Sequence, residues 1–280
     1  MLSIRQYIDS TLGRKLLMAL TGIILVMFVM GHMLGNLLIF LGPGAINAYA
    51  YKLHSMPAIL LTMVRLVLLA SVVIHIWMAV LLTLENRRAK PIPNKKNSGQ
   101  STYAARTMRM SGIIVLSFII FHLLHFTIRA VPTMEYNDQA VFSEKTDAPQ
   151  YVPLLKEGYP VIKHNQPVET FNVYDMLISG FKNPYVSFFY ILSNGLLCLH
   201  LAHGISSLFQ TLGLRNRHWR VLLDKLALYY GLIVFIGFAS IPTATLAGWL
   251  KPTSVLGSSS EAADLQYSEK ELTDNSIVHE

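Results

Sequence analysis

The sequence predicts an all-α integral membrane protein, a bundle of five transmembrane helices. Of its 280 residues, 52% are hydrophobic and 14% are charged, against roughly 25% charged residues in an average soluble domain. The apolar residues collect in five runs, each long enough to cross a bilayer as a helix. Together with their connections, the runs make one predicted five-helix transmembrane domain, residues 1–250, with spans at 16–41, 58–84, 110–130, 185–212 and 226–250.

The first two runs have clear boundaries. The first begins after Arg14 and Lys15, and Gly42 and Pro43 end it. It is too long for a signal-peptide core, so we expect the mature protein to keep it. The second run begins after Pro57 and ends in a basic loop.

The third run is followed by the longest polar stretch of the chain. It stops before Pro132, and the polar stretch covers 131–184. Because that length exceeds a simple connection, we expect a short helix inside it, near Val173–Phe181. Pro184 opens the fourth run. After the fifth run, the Ser-rich and acidic residues 251–280 predict a disordered tail.

Basic residues are concentrated in two loops and predict the orientation. The loop at 85–109 carries seven Lys and Arg residues, and the loop at 213–225 carries four. Cytoplasmic loops carry such an excess, so we place both loops and the N-terminus in the cytoplasm and the C-terminus outside. The net charge of +7 is explained by these loops, and we predict no nucleic-acid partner.

Each of the first four runs contains a histidine. In hydrocarbon both ring nitrogens must be satisfied, so an ionisable residue there is a candidate functional site. A structural imidazole bonded to a backbone carbonyl would explain any one of them alone. Four histidines on four spans favour ligands, and paired imidazoles are axial ligands of haem iron. The sequence therefore predicts two haem sites, made by His32, His75, His122 and His200.

The depth of each histidine predicts how the four are paired. His32 and His122 lie 11 and 10 residues from the proline at the outer end of their spans. His75 and His200 lie 18 and 16 residues from theirs. At about 1.5 Å per residue, these depths are roughly 15 Å for the first two and 24–27 Å for the others. This gives an outer and an inner pair, but it leaves open two neighbouring alternatives, His125 and His203.

Small residues flank these histidines, as a flat macrocycle between helices requires. Helix packing uses small residues equally well. The residues concerned are Gly31, Gly35, Ser71 and Gly204. The single cysteine, Cys198, excludes an iron–sulfur cluster or a disulfide framework built from this chain, so any iron–sulfur relay belongs to a partner.

Five further residues are candidates for binding haem propionates or quinone. His54, in the outer loop, could contact a quinone head, although a solvated loop explains it equally well. Arg65 and Arg129 lie near the outer boundary, where we favour pairing with propionates over snorkelling. Arg14 and Lys15 could serve the inner haem or only follow the charge rule.

Several short motifs resemble one known family. They are STLGRKLLMALTG at 10–22, GHMLGNL at 31–37, NAYA at 47–50, SG at 111–112 and HLAHG at 200–204, continued by TLG at 211–213. In this order and spacing they look like the dihaem cytochrome b membrane anchor of succinate:quinone oxidoreductase. The resemblance covers nearly the whole chain except the tail.

The resemblance implies a fold and a set of ligands. In that family a five-helix bundle binds two b haems, and each of four helices supplies one axial histidine. Carried over by position, the ligands of the outer haem are His32 and His122. Those of the inner haem are His75 and His200.

The family pattern also selects between the neighbouring histidines. Its third ligand lies eleven residues after the first residue of a Thr/Ser-Gly pair, here Ser111, which selects His122. Its fourth ligand lies four residues before a glycine, here Gly204, which selects His200. The histidines then left near a propionate or a quinone are His125 and His203.

The resemblance further implies partners, a reaction and a location. A flavoprotein subunit oxidises succinate, an iron–sulfur subunit carries the electrons, and the anchor passes them to a quinone, menaquinone, in the bacterial cytoplasmic membrane. The chain is then part of an enzyme but carries no catalytic residue of the dicarboxylate chemistry. A fumarate-reducing relative has a glutamate two residues before the fourth ligand. Because Cys198 stands there, the proton route of that glutamate is not implied.

Two other functions fit parts of the sequence. One is the dihaem cytochrome b subunit of a hydrogenase or formate dehydrogenase, which would share the paired histidines. The other is a haem-free membrane transporter or scaffold. The absence of Asp and Glu from all five apolar runs weighs against a transporter, because such carboxylates usually carry protons or cations.

Overall fold

The computed structural model describes residues 10–89, 103–131 and 170–253, and five short strand segments between 139 and 168. The helices within these ranges are α1 (Thr11–Leu37), α2 (Pro43–His54), α3 (Ala58–Arg88), α4 (Tyr103–His122), α5 (Val173–Lys182), α6 (Pro184–Thr211) and α7 (Arg220–Leu246). A 3₁₀ turn, Leu38–Leu41, continues α1, and a π-helical turn, Leu123–Thr127, continues α4.

Five helices of the described chain are long and apolar enough to cross a membrane, as predicted. They are α1 with its 3₁₀ turn, α3, α4 with its π turn, α6 and α7. The short helix expected near Val173–Phe181 is confirmed as α5, and the Asn172 side chain caps it by accepting a hydrogen bond from the Asp175 amide.

The helix ends differ from the predicted spans for identifiable reasons. The first helix begins at Thr11 rather than at 16, because the Ser10 hydroxyl caps it by accepting from the Gly13 amide at 3.0 Å. The last begins at Arg220 rather than at 226, since charged residues form helix as well as apolar ones. It ends at Leu246, shortly before Gly248, whose φ of +74° suits a chain reversal.

Six strands of two or three residues lie between α4 and α5. They are β1 (Gln139–Ala140), β2 (Phe142–Ser143), β3 (Gln150–Tyr151), β4 (Val161–Lys163), β5 (Gln166–Val168) and β6 (Thr170–Phe171). β1 pairs with β6, and the other four form a sheet in the order β3-β2-β4-β5, in which only β2 and β4 are parallel. The sequence did not predict them because two or three residues carry no readable alternation.

The chain divides into two compact units, and the first holds most of the membrane helices. It comprises Met1–Asn36, Met56–Leu123 and Phe189–Ser240. Within it, α7 packs closely on two neighbours. A Cβ on Gly231 would lie 2.7 Å from the backbone oxygen of Cys198 on α6. The Tyr230 hydroxyl donates to the Val26 carbonyl of α1 at 2.6 Å.

The second unit comprises Leu37–Ser55, Leu124–Phe188 and Ile241–Glu280. Its best-defined feature is a buried polar network around Asp175, whose carboxylate accepts from the Asn172 amide and from the backbone and hydroxyl of Thr253. Asn47 of α2 joins it by accepting from the Tyr174 amide at 3.1 Å. Burial and the neighbouring Asp175 raise the pKa of the Tyr174 phenol.

The network corrects the predicted start of the tail. The sequence assigned residues 251–280 to a disordered segment, but Thr253 is only 3% exposed and bonds to Asp175. Its hydroxyl and amide balance a buried carboxylate, which makes this part of the tail structural. The remainder of the predicted tail, from 254, lies outside the described residues.

Candidate functional site

The four histidines predicted as ligands lie in the first unit, one on each of four membrane helices. His32 is on α1, His75 on α3, His122 at the end of α4 and His200 on α6. All four are half-buried. The question is which of them come together and what holds their rings.

His32 and His122 are in direct contact. Their ring centroids are 5.8 Å apart and their planes are at 79°. Two imidazoles on opposite sides of one metal ion have centroids about 6 Å apart, since each metal–nitrogen bond is about 2.0 Å long. The separation therefore has the size of a bis-imidazole pair.

Aromatic rings surround this outer pair. Phe28 stacks on His32 at 5.3 Å, one turn earlier on α1, and Phe118 lies 5.9 Å from His122, one turn earlier on α4. The Tyr190 hydroxyl of α6 lies 3.5 Å from Nδ1 of His122. The pair thus has apolar walls with a polar contact from Tyr190, which the sequence analysis did not anticipate.

His75 is held by a threonine and a glycine of α1. Its Nδ1 lies 3.2 Å from the Thr21 hydroxyl. A Cβ on Gly22 would lie 3.5 Å from Cε1 of the same ring, so the imidazole packs directly on the helix surface. We call Thr21-Gly22 the α1 seat.

A second seat on α4 holds His200 in the same way. Its Nδ1 lies 3.5 Å from the Ser111 hydroxyl, and a Cβ on Gly112 would lie 3.6 Å from its Cε1. We call Ser111-Gly112 the α4 seat. His200 interacts electrostatically with both His75 and His203.

Each seat helix also supplies one member of the outer pair. His32 lies eleven residues after Thr21, and His122 lies eleven residues after Ser111. Eleven residues of helix correspond to about 16 Å. The seated pair and the outer pair are therefore at two levels. Sequence reasoning used Ser111 as a motif but missed that both hydroxyls contact a histidine; the repeated spacing of eleven is the signal that could have found them.

The surroundings of the histidines fit a haem by two criteria. The donors are imidazole pairs, which haem iron accepts as axial ligands. A Cβ on Gly204 would meet no atom within 4 Å, so there is open space one turn beyond His200, whereas Gly31, whose Cβ would also meet no atom, is exposed. The other two predicted small residues, Gly35 and Ser71, are buried. No group of three or more His, Cys, Asp or Glu side chains able to hold a bare metal ion occurs within the described ranges.

His125 lies in the second unit and has different neighbours from His122. It is 2% exposed, on the π turn, with its ring 4.1 Å from that of Phe126. A Cβ on Gly180 of α5 would lie 3.1 Å from Cε1 of His125 and 2.7 Å from Cε1 of Phe126. His125 therefore packs on α5.

His203 interacts electrostatically with Arg215, which lies in the loop after α6. Arg215 donates two hydrogen bonds to the Asp224 carboxylate, at 3.0 and 2.8 Å. These bonds raise the pKa of the Arg215 guanidinium above its usual value. The pair joins the loop to the start of α7.

Among the remaining candidates, Arg14 is half-buried and the other four are exposed. Arg14 has a partner of its own, Glu85 of α3 at 3.6 Å, and Glu85 also accepts from the Thr11 hydroxyl at 2.6 Å. The Nδ1 of His54 donates to the Ala50 carbonyl at 2.8 Å within α2. The exposed candidates are His54, Lys15, Arg65 and Arg129, the last with a φ of 58° just after the π turn.

Five apolar helices make this chain a multi-pass membrane protein. Within its first unit, it carries two groups of imidazoles supplied by four different helices. Comparison with known proteins adds no family: no protein-family model, no curated protein and no solved structure matches the chain.

Proposed function

We propose that the chain is a dihaem cytochrome b, the membrane anchor and electron-transfer subunit of a succinate dehydrogenase or fumarate reductase. The observation that carries this proposal is the convergence of four intramembrane histidines. His32 and His122 have ring centroids 5.8 Å apart, and His75 and His200 are each seated on a hydroxyl of another helix. Converging imidazoles at two levels are what a two-haem site needs.

His32 and His122 would hold the outer haem, and His75 and His200 the inner one. A haem b with two axial histidines accepts and donates one electron at a time. The protein keeps this exchange away from water: Phe28 and Phe118 flank the outer pair, while the glycines of the two seats allow the inner rings to pack on helix backbone. The spacing of about 16 Å along the seat helices would place the two haems at different depths, so that electrons could pass from one to the other across the membrane.

The proposed partners are a flavoprotein subunit and an iron–sulfur subunit on the cytoplasmic side, with menaquinone in the lipid. The dicarboxylate chemistry belongs to the flavoprotein. With Cys198 as its single cysteine, this chain has no means of building an iron–sulfur cluster, so electrons must enter or leave through another subunit. The proposed location is the bacterial cytoplasmic membrane, with the N-terminus inside and the C-terminus outside.

Haem stoichiometry of the purified chain tests the first part of this proposal. A pyridine haemochrome assay with a reduced-minus-oxidised spectrum should give two b haems per chain. One haem would mean that one histidine pair is structural. If the purified chain bound no haem, the alternative of a haem-free membrane transporter or scaffold would be favoured.

Electron donors test which respiratory enzyme the chain serves. In membranes that contain the chain with its partner subunits, succinate should reduce the b haems, and oxidation by a menaquinone analogue should follow. Formate and hydrogen serve as matched donors for the alternative cytochromes. Reduction by either of them, but not by succinate, would overturn the assignment while leaving the haems in place.

A further inference from the structure

The two seats raise the question of where the protons of the seated imidazoles lie. A neutral imidazole has one N–H and one lone pair, and only the nitrogen with the lone pair can bind a metal. The partner of the other nitrogen decides which tautomer is present. Both seats present a hydroxyl to Nδ1, so the direction of each hydrogen bond is decisive.

At the α1 seat the hydroxyl proton is already used. Thr21 donates to the Leu17 carbonyl at 2.8 Å, within its own helix, and its oxygen also lies 3.1 Å from the Met18 carbonyl. The oxygen therefore faces His75 with a lone pair, and Nδ1 must carry the proton.

The α4 seat repeats this arrangement. The Ser111 hydroxyl donates to the Met108 carbonyl at 3.0 Å and presents its lone pair to Nδ1 of His200 at 3.5 Å. Serine and threonine hydroxyls commonly bond back to their own helix in this way. Two helices thus hold a hydroxyl in the same way, and each hydroxyl contacts a histidine of another helix.

We propose that Thr21 and Ser111 are positioning residues of the inner haem. Their hydroxyls fix His75 and His200 in the Nδ1–H tautomer, so that Nε2 of each ring keeps the lone pair offered to iron. The haem part of this inference rests on the proposed function, whereas the tautomer part stands on the two seats alone.

The seats also adjust the inner haem electronically. A hydrogen bond from Nδ1–H to an acceptor raises the basicity of the coordinating nitrogen. A more basic ligand favours ferric over ferrous iron, so the hydroxyls lower the reduction potential of the inner haem. Removal of both should raise that potential and leave the outer haem unchanged, because His32 and His122 lie eleven residues, about 16 Å, further along the two seat helices.

A redox titration of the purified full chain tests the electronic effect. The variants are Thr21→Val, Ser111→Ala and the double variant, with Thr21→Ser and Ser111→Thr as conservative rescues. Ser117→Ala and Thr211→Val are the matched controls, since those hydroxyls donate to their own helices at 3.1 and 3.0 Å and have no histidine partner in the described part of the chain. A tenfold loss of preference for ferric haem in the double variant corresponds to an upward shift of about 59 mV for a one-electron couple.

Each outcome of the titration decides the proposal. A raised potential of one haem, restored by the conservative variants, supports it, and so does selective loss of the inner haem with the same rescue. An unchanged inner potential at full haem content overturns it. A shift of the outer haem instead, or loss of both haems, would also overturn it.

The tautomer is read separately by nitrogen-15 NMR of the histidine-labelled chain in bilayers. The chain is reduced first, because low-spin ferrous haem is diamagnetic, and His75→Ala and His200→Ala assign the signals. Nδ1–H at both rings supports the inference, provided that its signal shifts in Thr21→Val and Ser111→Ala respectively to that of an N–H without a hydrogen-bond acceptor. Nε2–H at either ring overturns it. A wild-type chain without haem would refute the proposed function, yet this measurement would still decide the role of the seats.

Discussion

His32 and His122 contact each other edge to face, with ring centroids 5.8 Å apart and planes at 79°. The two residues come from different helices, and His122 is the last residue of α4 before the π turn. His125, only three residues further, packs instead on Phe126 and faces Gly180 of α5. The two histidines of this turn should therefore respond differently to substitution.

His122→Ala should remove the outer haem and leave the inner one, because it deletes one of the two facing imidazoles. His125→Ala is the matched control: it should retain both haems and reduce only stability, since its ring fills a packed contact against α5. The measurement is haem content per chain with thermal unfolding of each variant. Loss of a haem in His125→Ala alone would reverse the assignment within this turn.

His75→Ala should reduce the haem content from two to one. Its ring occupies the α1 seat, where its Nδ1 lies 3.2 Å from the Thr21 hydroxyl. His203→Ala is the comparison on the inner side: its ring interacts electrostatically with Arg215 and with His200, but it is not the ring that lies against the α1 seat. The two variants should be compared by pyridine haemochrome assay. If His75→Ala still bound two haems, the predicted pairing of His75 with His200 as ligands of one haem would be wrong.

The five membrane helices could be predicted from the sequence, while the pairing of the histidines as ligands stays a prediction; both follow from simple periodicities. Apolar run length defines a span, and a rise of 1.5 Å per residue converts sequence position into depth. Depth alone could not separate His122 from His125, since a π turn changes the angle between them around the helix axis and leaves no mark in composition.

Other features depended on contacts between distant parts of the chain. The pairing of Arg14 with Glu85 joins residues at the ends of two different helices, and the bond from Thr253 to Asp175 spans 78 residues. Neither has a local signature. The two seats could be predicted only in part. A Thr-Gly or Ser-Gly pair is visible in the sequence, but the histidine that contacts it comes from another helix.

Gly231→Ala should destabilise the first unit. A Cβ there would lie 2.7 Å from the backbone oxygen of Cys198, and a helix backbone has little freedom to move away. Forcing extra atoms into such a contact costs about 1–3 kcal/mol. Gly195→Ala is the matched control, because its Cβ would lie 3.7 Å from the Phe235 ring, at an ordinary contact distance. Equal unfolding temperatures for the two variants would show that α6 and α7 are not packed as closely as described.

Two truncations and one substitution test where the tail begins to matter. A chain ending at Gly257 keeps Thr253 and should retain normal haem content and stability. A chain ending at Pro252 loses both hydrogen bonds from Thr253 to Asp175 and leaves a carboxylate that is 6% exposed with fewer donors. Leaving such a buried group short of partners costs about 1–3 kcal/mol. Thr253→Val in the full chain removes only the hydroxyl bond, so its effect on the unfolding temperature should be intermediate. If the chain ending at Pro252 unfolded at the same temperature as the chain ending at Gly257, the Asp175 network would not be what anchors the end of α7.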